Sequence, residues 1–324
     1  PKAICGFRDG SLSVVDTGFG GNGIEAGGRR DPGTVCGPVL WASKAGHVET
    51  VFSCAHKPRD ANTLATGSYG SNIKVWHTPT MDLKMTLAGQ TGAIYSVAWS
   101  LHGDKIASSS RDGSVWIWDA ESGKAEQRLH LHSQAAHRVQ WDPFNPRRLA
   151  SAGADKRLVT FNDRGTVERA YNHPAALFGC HWSPSYPDVI ATGCQDANVR
   201  IFDVSPKGGV QPLFILSGHS ERVFNVCWSP LLHGTLASGS DDRSVIVWCL
   251  GSRALQQSDP PGKIQTIRPS AVLRGHTHNV RPLHWNSEIP WLLLSGSWDG
   301  TIRAWDIRRA GIGRADTPAK QNDG

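Results

Sequence analysis

A histidine followed twenty-nine residues later by an aromatic side chain recurs along this chain of 324 residues. His47 leads to Trp76, His132 to Phe161, His173 to Phe202, His219 to Trp248 and His276 to Trp305, all at the spacing of 29. Gln90 and Trp118 form a sixth pair, one residue shorter. Six residues before the aromatic stands Asp112, Asp155, Asp196, Asp242 or Asp299; in the first pair the slot holds Gly70. A fixed period of this length means one supersecondary unit repeated side by side, each burying its apolar face only against its neighbours.

The segments between the anchors read as strands. "SVIVW", "TIRAW", "NIKVW", "SVWIW" and "NVRIF" alternate or run continuously apolar, as strands in a packed sheet do. "VFNVCW", "IYSVAW" and "LFGCHW" read as one buried strand upstream, and "TLASGS", "KIASSS", "VIATGC" and "LLLSGS" as the next. With a fourth strand in the variable stretch between units, the pattern predicts four-stranded antiparallel blades. Composition agrees: 35 Gly and 13 Trp against 2 Met favour turns and strands over helical bundles.

A Gly-His, a Ser-Gly-Ser-x-Asp turn and a terminal Trp at this period resemble the WD-repeat β-propeller family. Six full repeats align over 41–306, and "AICGFRDGSLSVVD" matches the later half of another, with Asp9 in its turn. The resemblance implies an all-β, seven-bladed propeller with one incomplete blade, a single domain over 1–324. Residues 1–16 would be the partial blade, 17–40 a Gly-rich loop between blades, and 307–324 a basic tail. The phrases "AGHVETVFSCAHKPRDANTLATGS", "HPAALFGCHWSPSYPDVIATGCQDANVRIF" and "VRPLHWNSEIPWLLLSGSWDGTIRAWD" are similar to the second propeller of the WD repeat-containing protein 17 family. Proteins of that family look like two propellers followed by a helical-repeat tail, similar in organisation to coat and intraflagellar-transport subunits. With no initiator Met, the chain is expected to be a piece of a longer polypeptide.

The repeating Ser, His and Asp superficially suggest a hydrolase triad. They recur in several units, however, whereas nucleophilic catalysis needs one exposed nucleophile beside a base and an oxyanion site. The family resemblance implies instead a buried hydrogen-bond chain, complete in two repeats: His219, Ser238, Asp242, Trp248 and His276, Ser295, Asp299, Trp305. An imidazole donates to the Asp and accepts from the hydroxyl, and an indole only donates. Where Gln90, Phe161, Phe202 or Gly70 stands in, the chain is expected to weaken or vanish.

Other chemistries find little support. The segment "GFGGNGIEAGGRRDPGTVCG" is Gly-rich but has no Gly-Lys-Ser/Thr and opens no helix, so it is no phosphate loop. The histidines lack ligand spacing, so no metal or cofactor is expected. Seven cysteines without a CxxC read as free thiols in a reducing compartment, so an intracellular, cytoplasmic place is expected. No apolar run approaches the roughly 18 residues of a membrane span. Residues 250–271, with Pro260, Pro261 and Pro269, form a polar insertion expected to extend an outer strand or loop.

Function is therefore expected at the channel mouth. The residue after the first apolar position of each inner strand points there in the family pattern: Phe52, Tyr95, His137, Phe178, Phe224 and Arg281. The residue before each turn position joins them: Arg8, Tyr69, Arg111, Ala154, Gln195, Asp241 and Trp298, with Asp241 expected to be an open rim charge. Aromatic and Arg enrichment is what a peptide-binding hot spot looks like. The expected function is a non-catalytic protein-interaction scaffold taking a peptide or loop of a partner, with no small-molecule substrate. The alternative, a nucleic-acid-binding propeller, draws on the charge of +6. The basic residues are scattered through turns and tail, though, and do not form a stripe along a phosphate path.

Overall fold

The computed structural model describes residues 2–6, 9–16, 39–43, 46–251, 255 and 264–312. The Gly-rich segment 17–38, most of the insertion and the tail beyond 312 lie outside the described residues, as does Arg8. The described residues form 27 strands gathered in seven sheets. The sheets β4(Val51–Lys57) to β7(Asp82–Leu87), β8(Ile94–Trp99) to β11(Ala125–His130) and β12(Ala136–Trp141) to β15(Val167–Asn172) are four-stranded antiparallel meanders in chain order.

The next two sheets are linked by the insertion. β16(Leu177–Trp182), β17(Val189–Cys194), β18(Asn198–Asp203) and β19(Phe214–Ser217) form one meander. β23(Gln265–Ile267), inside the insertion, pairs parallel to β19 and adds a fifth strand to that earlier blade. The chain then returns through β24(Ala271–Arg274) to complete the blade of β20(Val223–Trp228), β21(Thr235–Ser240) and β22(Ser244–Cys249). The insertion thus ties two blades together at their outer edges.

The expected count of blades needs correction. Six blades carry an inner strand, not seven, and the sixth, β25(Val280–Trp285) to β27(Ile302–Asp306) through β26(Leu292–Ser297), has three strands. The N-terminal half-repeat forms a three-stranded sheet of β1(Lys2–Gly6), β2(Leu12–Asp16) and β3(Val39–Ser43). Residues 39 and 40 therefore belong to a strand, not to the expected loop. The expected tail also begins in structure: Ile307–Ala310 is a 3-10 turn, and Ile307 and Ile312 pack into the apolar core between the last two blades.

Two local rules make the blades alike. The residue after the turn position adopts a positive φ in every unit: Gly10, Ser71, Gly113, Lys156, Ala197, Arg243 and Gly300. The turn aspartate offsets part of the strain by accepting backbone N–H bonds two residues on, as Asp112 does from Ser114 and Asp242 from Ser244. The second strand of each blade is walled in on both sides. β9(Lys105–Ser110), β13(Arg148–Gly153), β17 and β21 are buried nearly throughout. Small residues there let the neighbouring blade approach. A Cβ on Gly239 would lie 2.9 Å from Val280 Cγ1, and one on Gly67 only 2.6 Å from Ile94 Cγ2.

Neighbouring blades are also joined by a relay of indoles. Trp99 Nε1 donates to the Ala55 carbonyl, Trp141 to Ala98, Trp182 to Gln140, Trp228 to His181 and Trp285 to Cys227, at 2.9–3.3 Å. Each tryptophan ends an inner strand and reaches the strand of the preceding blade. A buried indole needs an acceptor, and this one sits where the sheet ladder leaves a carbonyl free. His56 takes the tryptophan position in β4.

Candidate functional site: an aromatic arc at the channel mouth

A β-bulge stands near the start of every inner strand. The register shifts between Val51 and Ser53, Ile94 and Ser96, Ala136 and Arg138, Leu177 and Gly179, Val223 and Asn225, and Val280 and Leu283. The extra residue has no opposite number on the next strand, and a bulge re-aims its side chain. The first five bulged residues are Phe52, Tyr95, His137, Phe178 and Phe224, and Arg281 heads the two-residue bulge of the sixth. The residue before each turn position is held beside the bulge by its own backbone: Tyr69 N–H donates to Thr50 O, Arg111 to Ala93, Asp241 to Arg222 and Trp298 to Asn279.

The side chains meet in sequence round the mouth. Tyr69 and Phe52 lie 6.3 Å apart by ring centroids, Phe52 and Tyr95 5.2 Å, Tyr95 and His137 5.1 Å, His137 and Phe178 4.7 Å, and Phe178 and Phe224 5.3 Å. The Arg281 guanidinium continues the row, 3.7 Å from the Phe224 centroid and 4.5 Å from that of Trp298. Arg111 donates to the Tyr69 hydroxyl at 3.2 Å at the other end. The arc is exposed at its ends, with Trp298 at 66 % and Phe52 and Tyr69 near 45 %, and half-buried in the middle. Ala154 and Gln195 share the backbone position but bring no ring.

Asp241 corrects its expectation. It is buried, not an open rim charge, and its carboxylate is taken by Arg222 and by Arg281 Nη2 at 3.4 Å. Its role is to hold two arginines against Phe178 and Phe224. Arg222 was not singled out from the sequence; its place directly before an inner strand was the available signal. Burial, with Asp241 and Arg222 acting in opposite senses, lowers the Arg281 pKa to about 10. Burial and the charges of His132, Arg222 and Arg281 lower His137 to about 4, so its stacked imidazole is neutral at pH 7.

The histidine networks lie away from this mouth. In the β20–β22 blade Trp248 Nε1 donates to Ser238 Oγ at 2.8 Å, Ser238 bonds His219 Nε2 at 2.7 Å, and His219 Nδ1 meets Asp242 at 2.8 Å. In the last blade Trp305, Ser295, His276 and Asp299 repeat this at 2.7, 2.8 and 2.8 Å. Burial alone would raise the Asp242 pKa, but hydrogen bonds from His219 and Ser244 outweigh it and hold the carboxyl well below the usual range. Ser238 is fully buried and bonded on both sides, so it cannot meet a substrate.

The substituted repeats keep more of the network than expected. His132 still bridges Ser151 and Asp155 at 2.7 and 2.8 Å, lacking only the indole. Gln90 replaces an imidazole by donating to Ser114 at 3.1 Å and accepting from Ser108 at 2.6 Å. His47 bonds Thr66, which also accepts from Trp76. Only His173 lets go of its aspartate: it pairs with Thr192 and the Tyr171 carbonyl, while Asp196 turns to Arg200.

Among the described residues no cluster of His, Cys, Asp or Glu is arranged to hold a metal ion. No described helix is long and apolar enough to cross a membrane. Burial pushes the thiols of Cys180, Cys194 and Cys227 up to about 12, 11 and 11, which leaves them protonated and unreactive.

The profile of the WD40 family (WD domain, G-beta repeat) matches residues 40–77, 81–119, 210–249 and 267–306. The chain carries WD40 repeats. The two repeats outside the matched segments are those in which Phe161 and Phe202 replace the tryptophan. Among relatives, the chain is 25% identical over 303 residues to histone acetyltransferase type B subunit 2 of Eremothecium gossypii, covering 91% of this chain and 71% of that protein. It is 26% identical over 278 residues to Gem-associated protein 5 of Homo sapiens, covering 72% of this chain and 18% of that one. It is 29% identical over 236 residues to ribosome biogenesis protein WDR12 homolog of Nematostella vectensis, covering 63% and 55%. The chain spans much less than the full length of the latter two.

Proposed function

We propose that this WD40 propeller is a non-catalytic interaction scaffold whose mouth takes a peptide or loop of a partner protein. The observation that carries the reading is the unbroken arc from Tyr69 to Trp298, open at both ends. Scaffolding alone does not need one ring or guanidinium aimed at the channel from every blade. Aromatic anchors bury large area at small entropic cost, and Arg pairs with acidic groups in a fork. The N-terminal sheet β1–β3 is joined to the first repeat by the His47 N–H, which donates to the Gly10 carbonyl. The likeness to the WD repeat-containing protein 17 family supports a place as one intracellular module of a larger chain, in a coat-like or ciliary transport assembly.

The test is alanine substitution against a partner recovered by pulldown. Trp298→Ala and Phe52→Ala are expected to weaken binding at least about thirtyfold, roughly 2 kcal/mol, with melting unchanged. Wild-type binding by both variants would overturn the mouth as the site. A salt series decides the class of partner. A protein partner gives a shallow slope; a steep linear loss of log affinity with log salt would mean phosphate contacts and a nucleic acid.

A further inference from the structure

The inner strands β4, β8, β12, β16, β20 and β25 contain no aspartate or glutamate. They do contain cations. Lys57 lies over the Trp99 ring, and Arg281 pairs with Asp241. Arg138, next along β12 after the bulged His137, has neither kind of partner. Its Nε is sealed from solvent and makes no hydrogen bond, and none of its donors meets a carboxylate among the described residues. The residue is half-buried and only its Nε is sealed, so the terminal guanidinium nitrogens are open to an incoming oxyanion, which a guanidinium binds in a charge-assisted fork.

The surroundings suit such an anion. Arg138, Gln140, Ser53 and His56 line one open cavity of about 240 Å³, together with Trp99 and Trp141. Gln140 follows two residues after Arg138 on the same strand, so both project from the same face. Gln140 adds a neutral donor, and no acid on the inner strands competes for the cation. The geometry points to an oxyanion site in the channel: a carboxylate or phosphate held by Arg138 and Gln140. The site stands independently of the peptide reading of the mouth.

Inorganic phosphate and acetate are the probes, titrated separately into the full chain by calorimetry and thermal melting, with chloride at matched ionic strength as control. Saturable binding and a rising melting temperature with at least one probe are expected, with no rise in chloride. Binding of phosphate would identify a free ion as the source; binding of acetate alone would identify a carboxylate side chain of a bound chain. Arg138→Gln is expected to weaken the binding at least tenfold. In buffer without either probe, Arg138→Gln and Arg138→Met should melt no lower than wild type, because the half-buried guanidinium makes no ion pair or hydrogen bond that the change would break. The proposal is overturned if neither probe binds saturably, if Arg138→Gln binds within twofold of wild type, or if both variants melt below wild type in probe-free buffer.

Discussion

The blades of β16–β19 and β20–β22 stand side by side, share strand order, bulge and left-handed turn, and differ in their buried chemistry. In the second, four side chains form one chain from Trp248 to Asp242. In the first, Phe202 replaces the indole, and the remaining groups split into His173 with Thr192 and Asp196 with Arg200. The backbone is indifferent to the exchange because His173, Thr192, Asp196 and Arg200 each still find a partner. The period therefore specifies the propeller, and the His–Asp chain is one of several ways to satisfy the space between blades.

The largest effect that tests this contrast is pH. Burial and the Arg200 charge lower His173 to about 4, and burial and the Lys74 charge lower His47 to about 4, from 6.5. For His132 and His276, aspartate works against burial and pulls the pKa back up. A histidine depressed in the folded state stays neutral while the unfolded chain takes a proton. Its stabilisation is therefore complete above pH 6.5 and is lost as pH falls from 6.5 towards 4. At pH 5, His47 and His173 should each have cost about 2 kcal/mol, with His137 and His181 acting in the same direction. Urea unfolding at pH 7, 6 and 5 checks the loss, and imidazole titration by NMR should place His47 and His173 below His132 and His276. A flat stability down to pH 5 breaks the contrast.

A smaller effect compares the two hydroxyls. Ser238→Ala leaves both the Trp248 indole and His219 Nε2 without a partner in a sealed site, costing about 3 kcal/mol. Thr192→Val keeps the shape, leaves His173 Nε2 without its partner and removes the long bond to the Arg200 carbonyl, costing about 1–2 kcal/mol. Equal melting shifts would mean that the indole bond contributes nothing.

Much of this was legible in the spacing. His219, Ser238, Asp242 and Trp248 could be assigned because a tight turn fixes which residues share a blade. The bulged positions coincide with the residue after the first apolar position of each inner strand, which the family pattern marks. What escaped the sequence depends on neighbours distant along the chain. Asp241 looked like a rim charge because nothing local shows Arg222 and Arg281 closing over it. The indoles of Trp99 and Trp228 lie in runs that read simply as buried strand, since their acceptors sit more than forty residues earlier, at Ala55 and His181. The insertion was expected to extend an outer strand or loop, but which blade β23 joins was not legible, because three residues that pair parallel to another blade carry no periodic signal.

The smallest effect sharpens the comparison by adding what the first blade lacks. Gly70 occupies the aspartate position, and His47 there bonds Thr66 through Nε2 but has no turn carboxylate to meet its Nδ1. A Cβ on Gly70 meets nothing closer than Ser68 Oγ at 3.7 Å and Glu49 at 3.8 Å, and the left-handed residue of the turn is Ser71, not Gly70. Gly70→Asp therefore fits, lowers the entropy of the unfolded chain and offers His47 the acceptor that Asp242 gives His219. Glu49 opposes the new charge, but it is exposed and screened, while Lys74, bonded to the Gly46 carbonyl at 2.6 Å, favours it. We expect a gain of about 1 kcal/mol at pH 7, read as a rise in melting temperature. The His47 pKa should also climb from about 4, because its protonated form gains a partner. A stabilised variant whose His47 still titrates near 4 would assign the gain to the unfolded chain alone. An unchanged or lower melting temperature would show that the first blade is satisfied without its aspartate.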